Sequence, residues 1–425
     1  MSKFFLYLLL AIVALISIVA GAPFLIILVL IAWSLSLLLP KFFRMLDVNR
    51  DGSINFDDLT ALFSNSQTST EEPGATESFV QGRMRAIWGE LEHQFVLLSI
   101  EIQKRERSSR GWWRRIMPFG HDAKVTGIIT NLASELNDRE LHLIRADFIE
   151  SVNELRRLDR QLADIRASIA MKSEPEDGPQ HRAAAKIEQA VSKESSTRQS
   201  LLNAFQSRMN AYGVDLSPDQ AEVLLSRVDA GDVTKMTTVF AIISSITSQF
   251  ADAKIQSGEN LDVTKKYYGI YLGLLELQIH IQTEYIEKVD TVYLPGVQDI
   301  GNGARNLLAE TEVKMGAADD QHKEGYKQNI KSQQFTIEVT EIYSNALRSD
   351  RSKVDEARKI VSRLHELAEN TLSTVRVSAD LSSLVQQGEG LYKQVMSLQT
   401  PELVPFENLK MQREFEEVTQ RLRTA

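Results

Sequence analysis

The chain contains no cysteine, which excludes disulfides, thiolate nucleophiles and zinc–thiolate centres. Only 10 prolines and 21 glycines punctuate its 425 residues, and long stretches carry neither. So little punctuation favours helix over sheet, and no run of alternating apolar and polar residues stands out as a strand. No acid precedes Asp47, while Lys3, Lys41 and Arg44 lie in that stretch, so the net charge of −9 is concentrated in the remainder. An acidic body argues against a general nucleic-acid binder, which needs a basic face to replace counterions. A P-loop, a dinucleotide fingerprint, a nucleophile elbow and a zinc motif are all missing, so no enzyme class is indicated.

What is present first is lipid-compatible sequence. Residues 4–20 (FFLYLLLAIVALISIVA) and 24–39 (FLIILVLIAWSLSLLL) carry no charge, and only Gly21-Ala22-Pro23 separates them. A spanning helix needs roughly 20 apolar residues, with about 17 as the lower limit. Residues 1–40 are therefore expected to form a tight helical hairpin, either spanning the bilayer or re-entering from one face. The rival reading is a secretory signal cleaved after Ala20-Gly21-Ala22, but Pro23 disfavours that cut and the second run still requires a membrane. Lys3 flanks one end, Lys41 and Arg44 the other, and the turn has no basic residue. Both termini and the body are thus expected on the cytoplasmic side, as at a bacterial inner membrane.

Directly after the hairpin comes Asp47-Val48-Asn49-Arg50-Asp51-Gly52-Ser53-Ile54-Asn55-Phe56-Asp57-Asp58. Oxygen-bearing residues fall at the first, third, fifth, seventh, ninth and twelfth places, with glycine at the sixth. Phe42, Phe43 and Leu46 before it, and Phe56, Leu59, Leu62 and Phe63 after it, have helical spacing. Residues 41–63 resemble an EF-hand. The resemblance implies calcium, or magnesium, held by Asp47, Asn49, Asp51, the Ser53 carbonyl, Asn55 and Asp58, with Gly52 in the sharp turn. Asp58 stands where the family pattern has a bidentate glutamate, and its shorter reach weakens calcium or favours a smaller ion. The alternative is an Asx-rich turn joining two helices without metal.

Residues 64–78 (SNSQTSTEEPGATES) read as a flexible linker, about 20 Å in root-mean-square span if coil-like. From residue 79 the pattern is helical. Phe148, Val152, Leu155, Leu158, Leu162, Ile165 and Ile169 recur at steps of three and four, the seam of a coiled coil or bundle helix within 79–171. Residues 172–182 interrupt it with two prolines and a glycine. Within 183–425 one helix runs to Tyr212 and stops at Gly213, and Ser217 and Pro218 start the next. Further helices are predicted near 232–256, 261–294, 319–348, 351–398 and 406–423, the last with Met411, Phe415, Val418 and Leu422 as its seam. Residues 294–305 (LPGVQDIGNGAR) look like the clearest interior break. Residues 236–251 are uncharged but too short for a comfortable span, so a buried helix is predicted.

One patch stands apart. Lys104, Arg105, Arg107, Arg110, Arg114 and Arg115 surround Trp112 and Trp113, with Glu106 as the only acid in 104–120. Tryptophan and arginine together suit an anionic lipid surface. A helix-connecting loop with its tryptophans packed inside, or RNA stacking, would have the same composition. Glu90 and His93 have a di-iron-like spacing without the second copy such sites need. Glu276, His280 and Glu284 read as a solvated stripe, and Tyr267, Tyr268, Tyr271 and Tyr285 as core or interface residues.

These features together predict an all-α chain: a membrane hairpin, an EF-hand-like helix–loop–helix, and a long-helix body. A non-enzymatic, membrane-anchored scaffold is the function expected, its partners being the lipid bilayer, further copies of itself and a protein partner. The alternative is a subunit of an oligomeric channel or helical pore.

Overall fold

The computed structural model describes residues 75–109, 120–172, 178–257, 261–374, 391 and 394–424. Among them every regular element is helical: α1 (Ala75–Ser109), α2 (Gly120–Leu136), α3 (Arg139–Lys172), α4 (Pro179–Asn210), α5 (Pro218–Ser226), α6 (Ala230–Ser257), α7 (Leu261–Lys288), a π-helical turn (Val289–Tyr293), α8 (Leu294–Ala317), α9 (Asp320–Thr374) and α10 (Leu409–Thr424). The chain divides into two compact units, residues 1–72 with 253–259 and residues 73–252 with 260–425, and the packing below lies within the second.

Its largest feature is one helical hairpin. The stretch from α7 through the π turn to α8 is uninterrupted and returns along the 55 residues of α9. Cross-helix contacts keep an antiparallel register over most of that length. His365 Nε2 lies 3.1 Å from Glu276, Arg351 Nη2 2.8 Å from Asp290, Arg305 Nη2 2.8 Å from Glu341, and Gln333 Nε2 3.0 Å from Thr311 Oγ1. At ~1.5 Å per residue such a hairpin is roughly 80 Å long.

Residues 294–305 are therefore not a break. Pro295 has no N–H for the carbonyl one turn back, and its ring would clash with it. The widened π turn immediately before α8 relieves both problems and lets the helix continue. The expected division near residue 350 is absent as well, because Asp350 is buried and held by a cation rather than turned to solvent.

The ends of other elements follow their local chemistry. Ser217 and Gln220 cap α5 reciprocally, the serine hydroxyl accepting from Gln220 N at 3.2 Å and the Gln220 side chain accepting from Ser217 N at 3.0 Å. Gly213 takes φ 83° where α4 ends, a conformation that favours glycine. In α3, Phe148, Leu158 and Leu162 of the expected seam are buried, and α3 pairs with α4.

The core gathers around α6 and α7. Val239, Phe240, Ile242, Ile243 and Ile246 are buried, and Thr237 and Thr247 bond carbonyls one turn back, so residues 236–247 form an interior helical segment. Tyr268, Tyr271 and Tyr285 are core residues too. Phe95 and Leu98 of α1 pack where a Cβ on Gly273 would stand 2.9 Å from Leu98, so that glycine permits close helix approach. Each such fully buried apolar side chain contributes about 1.5–3 kcal/mol relative to exposure. The α10 seam buries Phe415 and Val418, and Phe415 stacks on Tyr343 at 4.0 Å.

Candidate functional site

The residues expected to bind a cation, Asp47, Asn49, Asp51, Ser53, Asn55 and Asp58, lie outside the described residues, as does the hairpin of residues 1–40. Arg110, Trp112, Trp113, Arg114 and Arg115 lie outside them as well. Arg105 and Arg107 fall on the last turns of α1, and Lys104 is exposed with its Nζ 2.7 Å from Glu101. Among the described residues, no helix is long and apolar enough to cross a membrane, and no cluster of three histidines or acids could hold a metal ion.

Glu276, His280 and Glu284 do not form a solvated stripe. Glu276 meets His365, Glu284 accepts from Lys235 at 2.9 Å, and His280 is half-buried. Burial pulls His280 below the ordinary imidazole range, with Lys235 adding to the effect against the acids around it.

The densest polar site is one that sequence reasoning missed. It lies where α5 joins α6. Arg227 and Asp229 are 2% and 0% exposed. Arg227 Nε and Nη2 donate to the two Asp229 oxygens at 2.8 and 2.7 Å, and Nη2 also reaches Asp350 of α9 at 2.7 Å. Tyr285 of α7 donates to Asp229 at 3.0 Å. The connecting backbone is clamped too: Val228 N donates to the Tyr343 hydroxyl, and the carbonyls of Arg227 and Val228 accept from Arg423 at 3.1 Å and Arg145 at 3.4 Å. Helices α3, α5, α6, α7, α9 and α10 are thereby tied to one short segment.

The charge states follow. Burial opposes the Arg227 charge, but Asp229 and Asp350 outweigh it and hold the guanidinium well above its ordinary range. Asp350 shares only one N–H of that guanidinium, and for it burial wins, pushing its carboxyl up. Burial and the Asp229 charge raise Tyr343 to about 12. Within the Arg227, Asp229, Asp350 and Tyr285 set the charged groups pair with one another, so the arrangement is a lock between helices.

A second lock forms around Asp138, 2% exposed, in the turn from α2 to α3. Its Oδ1 caps α3 by accepting from Glu140 N at 3.0 Å, and its Oδ2 accepts from Arg208 Nε at 2.8 Å and the Tyr212 hydroxyl at 2.6 Å. Arg83 Nη1 lies 2.6 Å away and also contacts the Tyr212 hydroxyl. Burial pushes the carboxyl up, but hydrogen bonds from Arg208 and Tyr212 and the charges of Arg83 and Arg208 hold it below its ordinary range.

Elsewhere a polar groove of about 440 Å³ opens between α8 and α9 around Gly301 and Thr340. Comparison with protein-family models, curated proteins and solved structures returned no match for the chain.

Local signals for the two locks were present. Arg227 and Asp229 sit in LLSRVDAGDV, a charged pair directly after an apolar run. Asp138 sits in LNDREL, where an aspartate two residues before a glutamate opens a helix.

Proposed function

We propose that the chain is a membrane-anchored helical scaffold that self-associates and holds a divalent cation where it leaves the bilayer. The observation that carries this reading is the pair of uncharged apolar runs, 4–20 and 24–39, separated only by Gly21-Ala22-Pro23. They supply enough apolar length for a hairpin anchor, and the basic flanks orient both ends toward the cytoplasm. A hairpin without charge offers no polar lining, which favours an anchor over a conduit.

The EF-hand-like segment follows within a few residues of Lys41 and Arg44. A cation held by Asp47, Asn49, Asp51 and Asp58 neutralises acids close to lipid headgroups and stiffens the exit. The basic and tryptophan-bearing patch, from Lys104 to Arg115, is assigned to the membrane surface by its composition. The long α7–α8/α9 hairpin supports a scaffold role, because it extends an all-helical surface and leaves Leu307 and Val313 of α8 54% and 75% exposed. Such exposed apolar positions on α8 suit burial against a second copy or a partner.

Calorimetric titration of the detergent-purified full chain tests the cation site. Calcium should bind with a dissociation constant of about 10⁻⁶–10⁻³ M, and the paired substitution Asp47→Ala, Asp51→Ala should abolish the heat. Absence of heat with both calcium and magnesium would contradict the assignment.

A further inference from the structure

The groove between α8 and α9 is built by two helix segments that share one plan. Val297 and Gly301 of α8 and Thr340 and Ser344 of α9 are its buried floor. A Cβ on Gly301 would stand 2.7 Å from Thr340 Oγ1, so glycine lets the two helices close beneath the groove. On the rim, α8 places Gln298, Asn302 and Arg305, and α9 places Glu341, Asn345 and Arg348 at the same spacing. Because the helices are antiparallel, the groove has approximate two-fold symmetry with a guanidinium toward each end. Each arginine is steadied by the asparagine one turn earlier: Arg305 Nη1 lies 3.0 Å from Asn302 Oδ1, and Arg348 Nη1 3.1 Å from Asn345 Oδ1.

On the rim the plan breaks at one position. Arg305 crosses to Glu341, with Nη2 2.8 Å from Oε1. The residue equivalent to Glu341 on the opposite helix is Gln298, which has no charge to offer Arg348. Among the described residues Arg348 has a hydrogen bond to Asn345 and no carboxylate partner.

Each guanidinium has five N–H donors in a planar fork that matches a carboxylate or phosphate. Gln298, Asn345 and Ser344 add neutral donors on the same side of the groove. The volume lies within the range of about 300–1,000 Å³ usual for small-molecule sites. We infer that the Arg348 end of this groove binds the oxyanion group of a small organic acid or phosphate ester. Arg348 supplies the charge, Gln298 and Asn345 the orienting amide hydrogen bonds, and the Arg305–Glu341 pair closes the far end. The bound oxyanion takes the place that a glutamate at 298 would fill. This site does not depend on the membrane or cation assignments.

The test is thermal unfolding of the full chain in detergent, titrated with citrate or inorganic phosphate against sodium chloride of matched ionic strength. One of the two oxyanions should raise the midpoint in a saturable way. Arg348→Gln should weaken its apparent affinity by at least about tenfold, the loss expected for one charged hydrogen-bond partner. Gln298→Glu should do the same while leaving the unliganded midpoint at or above that of the natural chain, because it supplies the missing cross-helix ion pair. The proposal is overturned if neither oxyanion exceeds chloride, or if either variant responds like the natural chain.

Discussion

Replacing Arg227 with methionine should lower the unfolding free energy of the helical body by about 3–5 kcal/mol, the usual cost of removing one partner from a buried ion pair. The size of the effect comes from what is left behind. Asp229 and Asp350 are both buried, and Arg227 is the cation that bonds each of them at 2.7 Å. Without it Asp229 keeps, among the described residues, the Tyr285 hydroxyl as its side-chain donor. Two carboxylates then face each other at low dielectric, and one of them must take up a proton. Lysine at 227 should recover part of the loss, since it restores the charge but cannot span both Asp229 oxygens. Equilibrium urea unfolding of the two variants reads both effects. A loss below about 1 kcal/mol for the methionine variant would show that the lock does not hold the helices together.

Asp138→Asn should cost about 3 kcal/mol at neutral pH by the same mechanism, somewhat cushioned because Arg83 and Arg208 are partly exposed and can rehydrate. Its pH dependence has a definite sign. The folded-state pKa of Asp138 lies below the ordinary aspartate value, so its contribution is present above that value and is lost as pH falls through the folded one. Asp350 works in the opposite sense: its raised pKa contributes stability at low pH that disappears as pH rises through the folded value. The difference in unfolding free energy between the natural chain and Asp138→Asn should therefore shrink as the solution is acidified below pH ~4. A difference that stays constant from pH 7 to pH 3 would contradict the assignment of the Asp138 shift.

The parts of the fold that could be read from sequence are those whose cause is local. The α3 seam announces its buried face by spacing alone, and the Ser217-Pro218 start and the Gly213 stop carry their own chemistry. Pro295 was misleading because its cost is relieved by a wider turn in the preceding five residues, a response no propensity encodes. The division expected between 319–348 and 351–398 is absent because Asp350 finds its partner, Arg227, far away in sequence. Charges that appear solvated in one dimension are the ones the tertiary fold buries in pairs. The same holds for the groove: Gln298, Asn302 and Arg305 look like an ordinary polar stripe until the register sets them against Glu341, Asn345 and Arg348.

The body is a helical assembly fastened by buried ion pairs, and the proposal that it is attached to lipid rests on the apolar runs within residues 4–39. Alkaline carbonate extraction of membranes from cells expressing the full chain separates integral from peripheral attachment. The full chain should stay in the pellet after extraction, and a chain lacking residues 2–40 should be released. Release of the full chain by carbonate would contradict the membrane-anchored scaffold.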